Sequence, residues 1–408
     1  MDDDRSRLSR RRFLSGSAAA MVTAGLAGVP LREALADDTT KQAKEKPGEI
    51  IYRTLGKTGI KMPIVGMGVM NADNPGVVQA SYELGVRHFD TAAYYQSGRN
   101  EEMVGRVIKK LGVRDKVIIG TKIFTPDMYG DLEPDATKKT ILAQFDGCLK
   151  RLQMDYVDIL YLHNVKDPAI LTHPAVQKTF AAIKKQGKAR FIGLTTHTRM
   201  AEPIKAALQT NLWEVILTAV NFTLVDYTDL YAAMAQAAEK GVGLIAMKTQ
   251  AGGPNLPDQD SAEKYSSATM TTAALKWALH LEHITTAIPG YTNYEHMRQD
   301  FSVASDFAYT KEESQFLTDN KVKLGYGFCR QCYSCLASCP RGVEVPGLMR
   351  TWMYTRQYAN FHQARATYDE IPRSKSLAAC SDCSECTARC VHTVDIPRRV
   401  EELKLVYA

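Results

Sequence analysis

The chain has 408 residues, more than one ordinary domain requires, so more than one folded module is expected. Hydrophobic residues make up 45% and charged residues 24%, which excludes a disordered chain and indicates a globular protein with a large core. The formal net charge of +6 falls to +4 without residues 1–36, which hold six Arg and four acidic residues. This excess of positive charge is weak, and the sequence contains no cluster of Lys and Arg interleaved with aromatic residues. It therefore does not predict nucleic-acid binding.

The N-terminus resembles a twin-arginine export signal. Residues 9–14 read SRRRFL, residues 15–29 are apolar but rich in Gly, Ala and Ser, and Ala34-Leu35-Ala36 matches a small-x-small cleavage site. A permanent anchor is the less favoured alternative, because the apolar stretch is shorter than the roughly 20 residues that span a bilayer. We therefore expect a periplasmic or other extracytoplasmic protein, with residues 1–36 as signal, 37–50 as polar linker and no stable membrane span after cleavage.

Short apolar segments alternate with amphipathic segments from residue 51 to residue 308. Such alternation is typical of parallel strands joined by crossover helices. The helical pattern is clearest at 101–112, 136–152 and 229–241. The eight candidate strands are 64–69, 88–92, 117–123, 156–164, 191–197, 215–222, 243–249 and 284–290. The fold class is therefore predicted to be α/β, a (β/α)8 TIM barrel over 51–308, followed by a small, mainly helical domain over 309–408.

Polar residues stand at the ends of several predicted strands, which is where barrels of this type carry their chemistry. They are Asp90, Lys122, His163 and Lys248, with Tyr94 and Tyr95 just after the first of them. Each alone would be read as structural, because a strand-end Asp often caps a helix and a lone His is usually a packing residue. Their occurrence together points to one site.

The segment VRHFDTAAYYQSGRNEEMVG at 86–105, with GTK, LYLHN and the earlier YRTLGKTGIKMPIVGMG, resembles the aldo-keto reductases. The resemblance covers roughly residues 51–308. It implies a catalytic tetrad of Asp90, Tyr95, Lys122 and His163, with Tyr95 preferred to its neighbour Tyr94 because the family's Tyr follows its Asp by five residues.

The chemistry of carbonyl reduction explains this choice of residues. Hydride transfer leaves an alkoxide that needs a proton, and a phenol with a pKa near 10 is a poor acid-base unless its anion is stabilised. We expect Lys122 to lower the pKa of Tyr95, Asp90 to keep the lysine charged, and His163 to orient the substrate oxygen. In the oxidising direction Tyr95 would act as the base.

The resemblance is weaker where a nicotinamide cofactor, NADP(H) or NAD(H), would bind. The family's Ser-Asn pair is replaced by Thr195-Thr196, its Gln by Asn221 and its stacking aromatic residue by Met247. Its IPKS motif and later Arg, which bind the adenosine phosphate, are replaced by residues 288–291 and His296, with Arg298 nearby as a substitute. The choice between the two nucleotides, or neither, therefore stays open. The cofactor-binding candidates are Gly68, Met70, Thr195, Thr196, Asn221 and Met247.

Eight of the nine cysteines lie after residue 328 and repeat the pattern CxxCxxCxxxC. They are Cys329, Cys332, Cys335 and Cys339, then Cys380, Cys383, Cys386 and Cys390. Bacterial ferredoxins hold [4Fe-4S] clusters with this run, the fourth Cys commonly binding the other cluster. Residues 325–408 resemble the helical two-cluster ferredoxin domains of electron-transfer subunits, so all eight cysteines are expected to be ligands of two clusters.

Zinc and disulfides are the alternatives to iron-sulfur clusters. Zinc fits the cysteine spacing poorly, whereas disulfides are the stronger alternative in an exported protein. Cys148 is expected to be a small buried hydrophobe.

These features together predict an exported oxidoreductase that interconverts a carbonyl and an alcohol on an aldehyde, ketone or sugar. Its clusters would exchange electrons with a redox partner protein. One difficulty is that nicotinamide transfers a hydride pair, which a flavin usually splits into single electrons, and no GxGxxG motif follows a strand here. The alternative is an iron-sulfur electron-transfer protein in which the barrel is a non-catalytic docking scaffold.

Overall fold

The computed structural model describes residues 48–126, 132–224, 227–252, 264–319, 327–381 and 383–407. The predicted signal sequence, with its arginines and Ala34-Leu35-Ala36, lies outside the described residues. Among the helices within those ranges, none combines the length and the apolar character that crossing a membrane requires.

The described chain contains ten strands, eight of which form one parallel sheet. The strands are β1 Tyr52–Thr54, β2 Lys61–Pro63, β3 Met67–Gly68, β4 His88–Asp90, β5 Ile118–Ile123, β6 Val157–Leu162, β7 Ala189–Thr196, β8 Val215–Ala219, β9 Gly243–Met247 and β10 Ile284–Ala287. Strands β3 to β10 pair in sequence order. A parallel bridge between Val65 and Ala287 joins the two edges, with Gly66 N donating to Ala287 O at 2.8 Å. The predicted TIM barrel is thereby confirmed.

Burial on both faces explains why most residues of these segments are apolar, without strict alternation of apolar and polar residues. Every residue of β5 and β6 is buried, because one face of each strand packs on the helices and the other fills the barrel. The interior layer includes Ile159, Tyr161 and Leu217. This packing makes the barrel a rigid support for the residues at its carboxyl end.

An antiparallel hairpin of β1 and β2, which the sequence pattern did not predict, packs into the barrel interior. Its Leu55 and Met62 are fully buried in the same cluster as the inward-facing strand residues. The turn is held by Lys57 N, which donates to Gly241 O at 2.7 Å. Gly56 has a φ of 49° and approaches Gly241 so closely that a Cβ there would collide with the carbonyl oxygen.

Helices cover the barrel and form most of the C-terminal domain. They are Pro75–Leu84, Arg99–Leu111, Pro134–Leu152, Pro174–Lys185, Ala201–Ala207, Thr228–Glu239, Ser267–Leu279, Tyr294–Ser302, Lys311–Thr318, Val345–Trp352, Phe361–Asp369 and Ile396–Tyr407. The three helices with the clearest sequence pattern are confirmed, with ends one to two residues from the predicted ones.

The segment between the cysteine runs, in the domain predicted to be mainly helical, forms two helices with a break between them. The first, Val345–Trp352, continues into a π turn over Met353–Gln357. Ala359 then adopts a positive φ of 50°, and Asn360 caps the second helix through a hydrogen bond from Gln363 N. The break turns the chain so that both helices face the carboxyl ends of the barrel strands.

The C-terminal domain has its own small core and lies over the mouth of the barrel. Cys335, Val345 and Leu348 pack in that core, separate from the main cluster of the barrel. Across the boundary, Asn360 Nδ2 donates to Asn71 Oδ1 at 2.8 Å. The boundary therefore includes polar side chains from both domains above the strand ends.

Candidate active site

Asp90 and Lys122 form a buried ion pair at the ends of β4 and β5. The Lys122 ammonium donates to Asp90 Oδ1 and also to the carbonyl oxygen of Thr91 at 2.6 Å. Both side chains are about 98% buried. The strands place them side by side because β4 and β5 are neighbours in register, with Asp90 opposite Gly120. Asp90 Oδ2 has no hydrogen-bond partner in the described structure.

Tyr95 and His163 lie around this pair. The Lys122 ammonium is 5.0 Å from the centroid of the Tyr95 ring, and the Tyr95 and His163 rings meet edge to face with centroids 5.9 Å apart. Phe124 stacks on His163 at 4.6 Å and fixes the plane of the imidazole. The four residues of the predicted tetrad are therefore brought together at one end of the barrel.

Burial governs the protonation of the tetrad. It raises the pKa of Tyr95 well above its ordinary value, and the charge of Asp90 adds to the rise. Burial also lowers the pKa of His163 well below its ordinary value, with Lys122 contributing. At neutral pH Tyr95 is thus a proton donor and His163 a neutral imidazole, a state suited to the reducing direction.

One cavity runs from the tetrad along the strand ends to the helix Tyr294–Ser302. Four of the six cofactor candidates line it, namely Gly68, Met70, Thr195 and Met247, together with Gly290 and His296 further along. The fit for a nicotinamide is supported by Asn164, a cavity residue missed from the sequence, whose buried Oδ1 has no hydrogen-bond partner and can accept from an amide.

The other two candidates, Thr196 and Asn221, do not line this cavity. The Thr196 hydroxyl donates to the carbonyl oxygen of Val165 at 3.1 Å. Asn221 Nδ2 donates to the carbonyl oxygen of Lys248 at 3.1 Å, and Asn221 Oδ1 accepts from the Thr223 hydroxyl at 2.6 Å. Both side chains are fully buried and their contacts hold the backbone behind the cavity wall.

The eight clustered cysteines lie in two groups, and the fourth cysteine of each run belongs to the opposite group. Burial raises the pKa of Cys329 to about 12, with nearby thiols of both runs contributing, and burial likewise raises the pKa of Cys380. The thiols that act on Cys329 are those of Cys335, Cys390 and Cys332, whereas Cys380 is acted on by Lys404 and by the thiols of Cys383, Cys339 and Cys386. This exchange is the ligand pattern that bacterial ferredoxins use for two clusters.

The spacing of the thiols also bears on the zinc and disulfide alternatives. All nine cysteines are free thiols, and Cys148 is buried as expected. Among the described residues, no three His, Cys, Asp or Glu side chains are close enough to hold one metal ion. The exchange of the fourth cysteine between the two groups is the arrangement that two four-iron clusters use.

Comparison with protein families identifies both parts of the chain. The model for the aldo/keto reductase family matches residues 72–267, and the model for a 4Fe-4S dicluster domain matches residues 328–394. The chain carries an aldo/keto reductase domain and an iron-sulfur domain. It is therefore an aldo-keto reductase-like oxidoreductase, and the cysteine runs are iron-sulfur motifs.

Similar proteins support the same assignment for the aldo/keto reductase domain. L-galactose dehydrogenase of Arabidopsis thaliana is 28% identical over 311 residues, covering 68% of this chain and 95% of the relative. L-glyceraldehyde 3-phosphate reductase of Escherichia coli O157:H7 is 23% identical over 338 residues, covering 69% and 96%. The solved holo-form aldo-keto reductase of Bacillus halodurans is 21% identical with a TM-score of 0.54, covering 66% of this chain and 95% of that one, and shares the fold.

The iron-sulfur domain contributes a wall of the reductase cavity, which sequence reasoning missed. The Tyr94 hydroxyl donates to Glu370 Oε1 at 2.8 Å, and Arg350 pairs with Glu370 Oε2 at 2.9 Å. Arg350 Nη1 also lies 3.3 Å from His197 Nδ1. Tyr94 is therefore bound to the iron-sulfur domain, whereas Tyr95 stays with the tetrad. No local pattern could predict this contact, because the partners are 276 residues apart.

Proposed function

We propose that the protein is an exported oxidoreductase that interconverts an aldehyde, ketone or sugar with its alcohol by hydride transfer to or from nicotinamide. We further propose that two [4Fe-4S] clusters exchange electrons with a partner protein. The observation that carries the proposal is the convergence of Asp90, Tyr95, Lys122 and His163 at one end of a cavity long enough to include the cofactor candidates.

Each residue of the tetrad has a role that follows from its surroundings. Bound nicotinamide would supply the hydride, and the chain's own groups would manage the proton. His163 hydrogen-bonds the carbonyl oxygen as a neutral imidazole and orients it, while Tyr95 gives that oxygen its proton. Lys122 sits beside the tyrosine ring and stabilises the phenolate left behind. Asp90 keeps the lysine charged and fixed.

The cysteine grouping supports two clusters with different positions. Cys329 lines a second cavity together with Arg350 and Lys248, both of which also line the reductase cavity. The first group would therefore hold a cluster beside the active site. The second run is followed directly by Val391, which is 67% exposed, so its cluster would lie nearer the surface and the partner. Two one-electron carriers match the two electrons of one carbonyl–alcohol conversion.

Export is proposed from the twin-arginine resemblance of the N-terminal sequence. That route carries folded proteins with their cofactors, which reconciles clusters assembled in the cytoplasm with an oxidising destination. Soluble nicotinamide nucleotide is not expected outside the cytoplasmic membrane. The nucleotide would therefore be exported bound to the folded protein and be recycled without leaving it.

The test uses full-length protein purified without oxygen. Roughly eight iron atoms per chain and a brown colour would support two clusters, and denaturation should release a nicotinamide nucleotide. A panel of aldehydes, ketones and sugars then measures turnover. Protein that binds no nucleotide and reduces no carbonyl, yet carries both clusters and exchanges electrons, would instead support the docking-scaffold alternative.

A further inference from the structure

The C-terminal helix Ile396–Tyr407 carries a buried arginine beside one of the two cysteine groups. Arg399 is only 6% exposed and lines the small cavity that also includes Cys329. The central carbon of its guanidinium lies 3.8 Å from the centroid of the Trp352 ring, so stacking holds the side chain in place. The other cations that line this cavity are Lys248, Arg330 and Arg350.

Arg399 is an electrostatic neighbour of the first group of cysteines. This group consists of Cys329, Cys332, Cys335 and Cys390. Burial lowers the pKa of Arg399, while the charges of Cys329, Asp395, Cys390 and Glu402 act to raise it. Because an arginine keeps its charge in folded proteins, Arg399 brings a permanent positive charge to two thiols of the first group.

Neither of the two nearby carboxylates pairs with Arg399. Asp395 is exposed and accepts a hydrogen bond from Arg398 N at 3.2 Å. Glu402 pairs with Arg356 Nε and with Arg398 Nε, each at 3.1 Å. Within the part of the chain that the structure describes, no Asp or Glu lies within ion-pair distance of Arg399. Since a buried charge is costly without a partner, the thiolates of the first group are the natural partners of this guanidinium.

The same helix offers the second group of cysteines a weaker cation. A hydrogen bond to Glu401 raises the pKa of Lys404, and the charges of Cys380 and Cys386 add to the rise. The Lys404 ammonium pairs with Glu401 at 2.9 Å and its side chain is partly exposed. Water and Glu401 therefore screen Lys404. The two groups of cysteines thus lie beside cations of unequal effect.

We propose that Arg399 raises the reduction potential of the first cluster, so that electrons from the more exposed second cluster can enter it. This inference rests on the two-cluster part of the proposed function. Reduction adds one electron, and hence one negative charge, to a cluster, and no bond is made or broken. Burial disfavours the added charge, whereas a nearby cation favours it. Arg399 therefore offsets the effect of burial on the cluster that lies nearer the reductase cavity.

The test is a redox titration of anaerobic full-length protein, read by electron paramagnetic resonance of the reduced clusters. Arg399→Gln removes the charge and should favour the oxidised first cluster by roughly 10-fold, about 59 mV for a one-electron couple. The second cluster should move less than about threefold. Asp395, Glu402 and the other cations of the cavity are unchanged in this variant, so the shift measures the charge of Arg399. Cys329→Ser, which removes a ligand of the first cluster, identifies its signal.

Two further variants separate the charge of Arg399 from its packing. Arg399→Lys keeps the charge but loses the planar group, and should hold the potential of the first cluster within about threefold of the wild-type equilibrium. Arg398→Gln is the matched control, because it makes the same chemical change at the exposed neighbouring residue. It should move either cluster less than about threefold.

Iron is counted in every variant, because a protein without its clusters has no potential to measure. An unchanged first cluster in iron-replete Arg399→Gln, equal shifts of both clusters, or the same shift in Arg398→Gln would overturn the inference. If Arg399→Gln loses iron, Arg399→Lys decides: a shift of tenfold or more, or loss of iron there too, would make Arg399 a structural residue only. Expected shifts in protein that reduces no aldehyde would refute the hydride-transfer part of the proposed function and leave this inference standing.

Discussion

Replacing Tyr95 by Phe removes a single hydroxyl group from the centre of the tetrad. Tyr95 is only 9% exposed and packs beside Lys122 and His163, so the Phe ring fits the same space. Because the hydroxyl is the proton donor for the developing alkoxide, kcat for carbonyl reduction should fall roughly 10²- to 10⁴-fold. Nucleotide affinity should stay within about threefold, since Met247 and Gly68 form that part of the cavity independently.

Tyr94→Phe is the matched control, because it makes the same chemical change one residue away. The Tyr94 hydroxyl donates to Glu370 at 2.8 Å and so belongs to the wall that includes Arg350. Its loss removes one hydrogen bond to a charged acceptor, about 1.5–3 kcal/mol at most. That loss should appear mainly in KM for the aldehyde substrate, with kcat within about tenfold of the wild-type value.

The assay follows nicotinamide absorbance during aldehyde reduction by anaerobic holo-protein, with nucleotide affinity measured for each variant. The decisive quantity is the ratio between the fall in kcat caused by Tyr95→Phe and the fall caused by Tyr94→Phe. Equal losses, or an inactive Tyr94→Phe beside an active Tyr95→Phe, would refute the assignment of the proton donor to Tyr95.

Three further changes test other parts of the structure. Burial raises the pKa of Asp300 to about 7, so the folded state loses stability as pH rises from about 4 to 7. Asp300→Asn should therefore raise the unfolding temperature much more at pH 8 than at pH 4, and an equal shift at both would contradict this. Cys329→Ser should remove about four iron atoms per chain by iron assay, whereas Cys148→Ser, the matched control, should remove none. Asp90→Asn leaves buried Lys122 without its carboxylate, so unfolding should become easier by about 3–5 kcal/mol. The double change with Lys122→Met should recover part of that loss in thermal denaturation, and no recovery would argue against the pair.

The barrel could be predicted because its signals are local. A strand buried on both faces can be recognised as a continuous apolar run, as in Gly243–Met247. The parallel topology then brings residues from distant strand ends together at one edge of the barrel. The β1–β2 hairpin escaped prediction because its strands have three residues each, too short for a periodic pattern. The break after the helix Val345–Trp352 could not be predicted from the sequence either, because a π turn leaves the helical pattern of apolar residues largely intact.

The tetrad could be predicted, but its protonation and its surroundings could not. The pKa of Tyr95 depends on how deeply the ring is buried and on which partner Lys122 prefers, and neither is encoded in spacing. The contact between the Lys248 ammonium and the Tyr354 hydroxyl joins two residues that are 106 positions apart in the chain. Such long-range contacts between domains have no sequence signature in a single chain, whereas the cysteine runs carry their chemistry in their spacing.

The position of Arg350 links the iron-sulfur domain to the kinetics of the reductase. Its helix begins at Val345, six residues after Cys339, and packs against Cys335 in the small C-terminal core. Because that core is small, ligation of the clusters should supply much of its order. Removing iron by anaerobic chelation should therefore raise KM for the aldehyde substrate roughly 10-fold, as Arg350 loses its fixed place in the cavity wall, while nucleotide affinity stays within about threefold. Reconstitution with iron and sulfide should restore the lower KM. Unchanged kinetics in iron-free protein would mean that the helix holds Arg350 without the clusters, and an equal loss of nucleotide affinity would mean that the barrel itself had been damaged.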